Sequence, residues 1–174
     1  YLPSVRNNIV KEDIVVDVDN TVDYVKKILG SHKKGREHRT MVLLEKYLNI
    51  GNSTLVLCET VLDTKKTATT ALKYLKQKKL LEDISEEIQI KKLIEFMQRE
   101  DAGNEELVEC LKYGIGFHNS KMSQQLKERI ESLVAIGLIK VLCATTTLAQ
   151  GMNFPITNVI FQFYSRRTRE KNDK

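Results

Sequence analysis

IKVLCATTTLAQGMNFP, residues 139–155, opens as one kind of structure and closes as another. Ile139, Val141, Leu142 and Cys143 form an apolar run interrupted only by Lys140, the composition of a buried β-strand. That run empties into Thr145, Thr146 and Thr147, and Gly151 and Asn153 follow before Pro155. A strand with hydroxyls at its exit either ends in an ordinary polar turn or presents those hydroxyls to something, and the neighbouring segments decide between the two.

Upstream, Ser123 is placed to cap a helix whose Leu126, Ile130, Leu133 and Val134 share one face, and Gly137 is placed to end it. Before that helix, Ile115-Gly116-Phe117-His118 reads as a strand. Leu107, Val108 and Leu111 mark a short helix stopped by Gly114. Residues 78–104 are charged but still periodic, with Ile84, Ile88, Leu93, Ile94 and Met97 spaced among Glu and Lys. They predict a helical insertion near 79–112, broken at Asp101-Ala102-Gly103-Asn104.

Thr54-Leu55-Val56-Leu57-Cys58 is unbroken apolar sequence, as in a central strand covered on both faces. Asp63 or Thr64 is expected to cap the next helix, with Ala68, Ala71, Leu72 and Leu75 as its buried stripe. Nearer the start, Met41, Leu44, Tyr47 and Leu48 mark a helix that stops near Gly51, and Val22, Val25, Ile28 and Leu29 mark another. Residues 14–18 and 159–163 supply further strands. Strand and helix alternate throughout, which predicts an α/β fold with a largely parallel sheet and helices on both faces.

The 174 residues suit one domain; 41% hydrophobic and 29% charged residues describe a globular protein. No apolar run reaches the roughly 18 residues of a spanning helix. The expectation is therefore an intracellular, cytoplasmic protein with no membrane partner. Tyr1-Leu2-Pro3-Ser4 is neither a signal peptide nor an initiator methionine, so the sequence reads as a piece of something longer. Cys58, Cys110 and Cys143 lie far apart beside apolar runs, with no Cys-x-x-Cys pair, and read as reduced core thiols with no metal. The net charge of +5 admits a polyanionic partner, although Lys73, Lys76, Lys78 and Lys79 also suit a solvated helix face.

In an open parallel sheet, ligands bind at the carboxyl ends of the strands. Three polar clusters fall there: Glu59-Thr60, His118-Asn119-Ser120-Lys121, and Thr145-Thr146-Thr147 with Gly151 and Asn153. Hydroxyls and backbone N–H groups at such an edge suit phosphate oxygens. Each cluster also admits a structural role: the threonines capping a turn, His118 hydrogen-bonded at a strand end, Lys121 solvated. Gly30-Ser31-His32-Lys33-Lys34-Gly35-Arg36-Glu37 imitates the glycine spacing of a phosphate loop. Arg36-Glu37 stands where Lys-Ser/Thr is needed, and the segment follows a helix instead of a strand.

Taken in order, Gly114 to Met122, the helix with Arg129 and Glu131, and residues 139–155 resemble the second RecA-like domain of superfamily-two DExH/DEAD-box helicases, most of all the Ski-like group. The first run matches the family's motif IVa and the last its motif V, while Thr54 to Thr60 fits motif IV. Relatives usually carry a second histidine, then a small residue and glycine, where this chain has Asn119, Ser120 and Lys121. The arginine-rich motif VI is absent from residues 1–174.

The resemblance implies a RecA-like three-layer fold over residues 1–174 as one helicase C-terminal domain. It implies strand contacts, to the backbone of DNA or RNA, from Thr60, His118, Asn119, Ser120, Lys121, Thr145, Thr146 and Thr147. It places Gly151 and Asn153 at a nucleotide shared with an upstream RecA-like domain that carries the phosphate loop. ATP and magnesium would serve the full-length protein, none bound tightly by this domain alone, and no catalytic residue would lie in it. A stand-alone interaction module of the same fold, without catalysis, and an unrelated small nucleotide-binding protein are the competing readings.

Overall fold

The computed structural model describes residues 35–100, 104–145 and 155–162. The strand expected at 14–18, the helix around 22–29, the loop at 146–154 and the end of the strand expected at 159–163 lie outside the described residues.

β1 (Thr54–Cys58) is buried along its whole length, as its unbroken apolar run requires. It pairs in parallel with β3 (Val141–Thr145) on one side and with β4 (Asn158–Phe161) on the other. β3 pairs in parallel with β2 (Ile115–His118), giving the order β2-β3-β1-β4. All four carboxyl ends therefore share one edge, and helices lie against both faces of the sheet. This is the α/β architecture expected of a RecA-like domain.

Among the described residues, five helices surround the sheet: α1 (Arg36–Asn49), α2 (Val61–Gln77), α3 (Ile88–Glu100), α4 (Glu105–Leu111) and α5 (Gln124–Ala135). α2 buries Thr64, Thr67, Ala68, Ala71 and Leu75, a stripe at helical spacing that packs against β1, β3 and β2. α2 starts earlier than Asp63 or Thr64 would have it. Thr60 is the cap: its hydroxyl accepts from the Asp63 N–H at 3.1 Å, and the Asp63 carboxylate accepts from the Thr60 N–H at 3.1 Å. The reciprocal pair satisfies two of the donors a helix start leaves open, which moves the boundary to Val61.

The insertion between α2 and β2 contains α3 and α4, but residues 80–87 are not helical. The Asp83 carboxylate accepts from the Ser85 N–H at 2.9 Å, and the Ile84 N–H bonds the Lys112 carbonyl at 2.8 Å, so this stretch is committed to a turn and a long-range tie. α3 is fastened to α5 by Arg129, whose guanidinium sits 4.2 Å from the centre of the Phe96 ring. α4 is fastened to α2 by the Lys65–Glu106 pair at 2.6 Å. Gly114, between α4 and β2, has φ of 68°, and a Cβ there would lie 2.8 Å from the Leu138 carbonyl. Only glycine meets both conditions without displacing the start of β3.

Cys58, Cys110 and Cys143 are buried free thiols. Among the described residues, no helix is long and apolar enough to cross a membrane.

Candidate nucleic-acid interface at the carboxyl edge of the sheet

Cross-strand register decides which polar residues meet. Cys58 is level with Thr145, whereas His118 is level with Ala144, one residue earlier. Because side chains alternate across a strand, His118 and Thr145 project from opposite faces. The sequence grouped them in one edge; the sheet separates them by side.

On the face covered by α5, His118 is 2% exposed, and its Nε2 lies 2.9 Å from the Glu131 carboxylate of α5. A carboxylate only accepts, so Nε2 carries the hydrogen, and Nδ1 is a buried lone pair without a partner among the described residues. Burial pushes the His118 pKa below the usual imidazole range, against the upward pull of Glu131, and nearby Lys127 adds to the depression. The ring is neutral at physiological pH.

On the other face, Asn119 is also buried. Its amide donates to the Thr64 hydroxyl of α2 at 3.1 Å, and its carbonyl oxygen accepts from the Lys121 N–H at 3.1 Å. Thr64 in turn donates to the Val61 carbonyl at 2.7 Å, and Thr67 donates to Gln162, beyond β4, at 2.8 Å. Beside them, a hydrogen bond with Cys143 lowers the Cys58 thiol, assisted by Thr67, while the same contact and complete burial raise Cys143. The Cys58 thiol donates to the Val56 carbonyl at 3.8 Å.

The residues expected to grip a strand thus separate by accessibility. Ser120 and Lys121 are exposed at the tip of the loop between β2 and α5. Thr60 is exposed, but its hydroxyl also donates to the Asp63 carboxylate at 2.6 Å. Thr145 is half-buried at the end of β3. Thr146, Thr147, Gly151 and Asn153 lie outside the described residues. Sequence reading missed Thr67 and Gln162, offered Thr64 only as a helix cap, and noted Glu131 only within the helix that carried the family resemblance. Thr64 and Thr67 carried a signal, since they continue the apolar stripe of α2 by one more turn; Glu131 had none pointing to His118.

A cleft of about 280 Å³ opens between the starts of α1 and α2 and the ends of β1 and β4, lined by Gly35, Glu37, Glu59, Asp63, Lys66, Thr67 and Gln162. Three carboxylates against one lysine repel a triphosphate, so this cleft does not fit ATP. Glu37 is already engaged, accepting from Thr70 at 3.1 Å and pairing with Lys66 at 3.5 Å. Among the described residues, no cluster of His, Cys, Asp or Glu could hold a metal ion.

Comparison with known proteins agrees with the fold. The helicase conserved C-terminal domain family matches residues 20–172. The ATP-dependent DNA helicase Hel308 of Methanococcus vannielii is 30% identical over 149 residues, 82% of this chain and 19% of that protein. Human exosome RNA helicase MTR4 is 47% identical over 57 residues, 33% of this chain and 6% of that protein. Human superkiller complex protein 2 is 47% identical over 53 residues, 30% of this chain and 4% of that protein. The chain spans less than a fifth of the length of these relatives.

Proposed function

The chain belongs to the helicase conserved C-terminal domain family, and from that membership we propose that it is the second motor domain of an ATP-dependent nucleic-acid helicase of the Ski-like group. The subgroup is supported by the motif-like runs at 114–122 and 139–155 and by short, close matches to MTR4 and superkiller complex protein 2. The single observation that carries a strand-binding role is the placement of Lys121 and Ser120, exposed on the carboxyl edge while their neighbours His118 and Asn119 are buried.

A lysine and a hydroxyl held at a loop tip give a phosphate one charge and one neutral donor, and neither reads a base. The partner is therefore the backbone of DNA or RNA. ATP and magnesium belong to the intact protein in this reading, shared with an upstream RecA-like domain that carries the phosphate loop. ATP hydrolysis would supply the free energy for cycling between gripping and releasing the strand. Gly151 and Asn153 are the residues proposed for the nucleotide side, Thr145 to Thr147 for the strand side, and the domain is proposed to span 1–174. Three buried free thiols support an intracellular, cytoplasmic setting.

Binding of a labelled single strand across a salt series tests the proposal. Two or three neutralised phosphates give a log–log slope of about −1.4 to −2.1, and Lys121→Ala should flatten it by about 0.7. Tight binding that ignores salt and depends on base sequence would refute it. Hydrolysis of ATP by residues 1–174 alone, unaffected by added strand, would refute the division of labour between two motor domains.

A further inference from the structure

We propose that Glu131 is a positioning residue for strand binding, acting through His118 to fix the loop that presents Ser120 and Lys121. The inference rests on the strand-binding reading of Lys121. His118 is too deeply buried to reach a strand, yet a leucine or phenylalanine would fill its place without leaving a nitrogen unpartnered. What histidine adds is the 2.9 Å bond to Glu131.

That bond has structural leverage. Glu131 lies eight residues beyond Ser123, the cap of α5, about 12 Å along the helix. The end of β2 is thereby tied to the middle of α5, while the Ser123 hydroxyl, accepting from the Leu126 N–H at 3.3 Å, fixes where α5 begins. On the opposite face Asn119 is tied to Thr64 of α2. Two consecutive residues are thus clamped to helices on opposite sides of the sheet. The chain between His118 and Ser123 has little freedom left, and the Asn119 carbonyl oxygen orients the Lys121 N–H directly. Glu131 retains 30% of its side-chain exposure, so it can be replaced without opening the core.

The charge of Glu131 and its geometry act in opposite directions on a polyanion, which makes the idea testable. Removing a carboxylate near the edge should by itself favour phosphate binding. In the intact protein, with fluorescent oligo-dT and oligo-U as probes, Glu131→Ala should instead weaken binding roughly two- to tenfold, the equivalent of one hydrogen bond. Glu131→Gln, neutral but within reach of Nε2–H, should restore it. Glu131→Asp, charged but one methylene short, should behave like alanine. In a Lys121→Ala background, Glu131→Ala should cost less than it does alone, since only the Ser120 contact is left to lose. Additive losses in the double variant, or Gln as weak as Ala, would overturn the proposal. Lys121→Ala with unchanged affinity and salt slope would instead refute the strand contact itself, and the proposal with it.

Discussion

Replacing Asn119 separates a residue that touches a strand from one that holds the loop in place. Its amide donates to Thr64 and its carbonyl oxygen accepts from the Lys121 N–H, both at 3.1 Å, with the residue 6% exposed. Asn119→Ala removes both bonds. Thr64 keeps its bond to Val61, and the Lys121 N–H can turn to water, so neither partner is left fully unsatisfied. Two modest hydrogen bonds then amount to roughly 1–3 kcal/mol of stability. In a domain of this size each kcal/mol lowers Tm by about 2–4 °C. Asn119→Asp keeps an acceptor for Lys121 but buries a carboxylate against an oxygen already donating elsewhere, so at neutral pH it should be at least as damaging. Urea denaturation followed by circular dichroism, with strand affinity measured on the same preparations, reads both effects. A variant that denatures at the wild-type midpoint yet no longer binds a strand would mean that the amide meets the strand directly, and the clamp described above would be refuted.

Thr60→Ala should cost about 1 kcal/mol of stability through the lost cap of α2 while leaving strand affinity nearly unchanged; a large affinity loss at constant stability would restore Thr60 to the strand interface. His118, with its pKa depressed in the folded state, contributes stability that is present above its ordinary value of 6.5 and lost as pH falls through the depressed value. The urea midpoint should therefore drop below about pH 6.5, and His118→Gln should flatten that dependence. Cys110 is shifted the other way, to about 12 from 9.0, by burial and the neighbouring Glu109 and Glu106. Its contribution is intact below pH 9.0 and lost as pH rises toward 12, and a thiol reagent at pH 8 should label it only after unfolding.

Much of the fold was legible in local sequence. The unbroken run at Thr54–Cys58 belongs to a strand buried on both faces, Ser123 caps its helix, and Gly114 and Gly137 stand where the backbone turns left-handed. These features depend on residues within a few positions of one another, so spacing and residue type suffice to find them. The start of α2 was misplaced for a related reason. Thr60, Asp63 and Thr64 are all competent caps, and only the paired bonds between Thr60 and Asp63 distinguish them.

The candidate site was legible as a location but not as an arrangement. Order along the chain determined that His118, Asn119, Lys121 and Thr145 gather at the carboxyl edge of a parallel sheet, because parallel strands put all their exits on one side. The run of motif-like segments also carried the family. Tertiary structure alone decided that His118 and Thr145 face opposite ways, that Asn119 is committed to Thr64, and that Glu131 holds His118. A one-residue shift in register reverses every side chain of a strand, and the pairing of His118 with Ala144 joins residues far apart in the chain. No window of neighbouring residues contains that information.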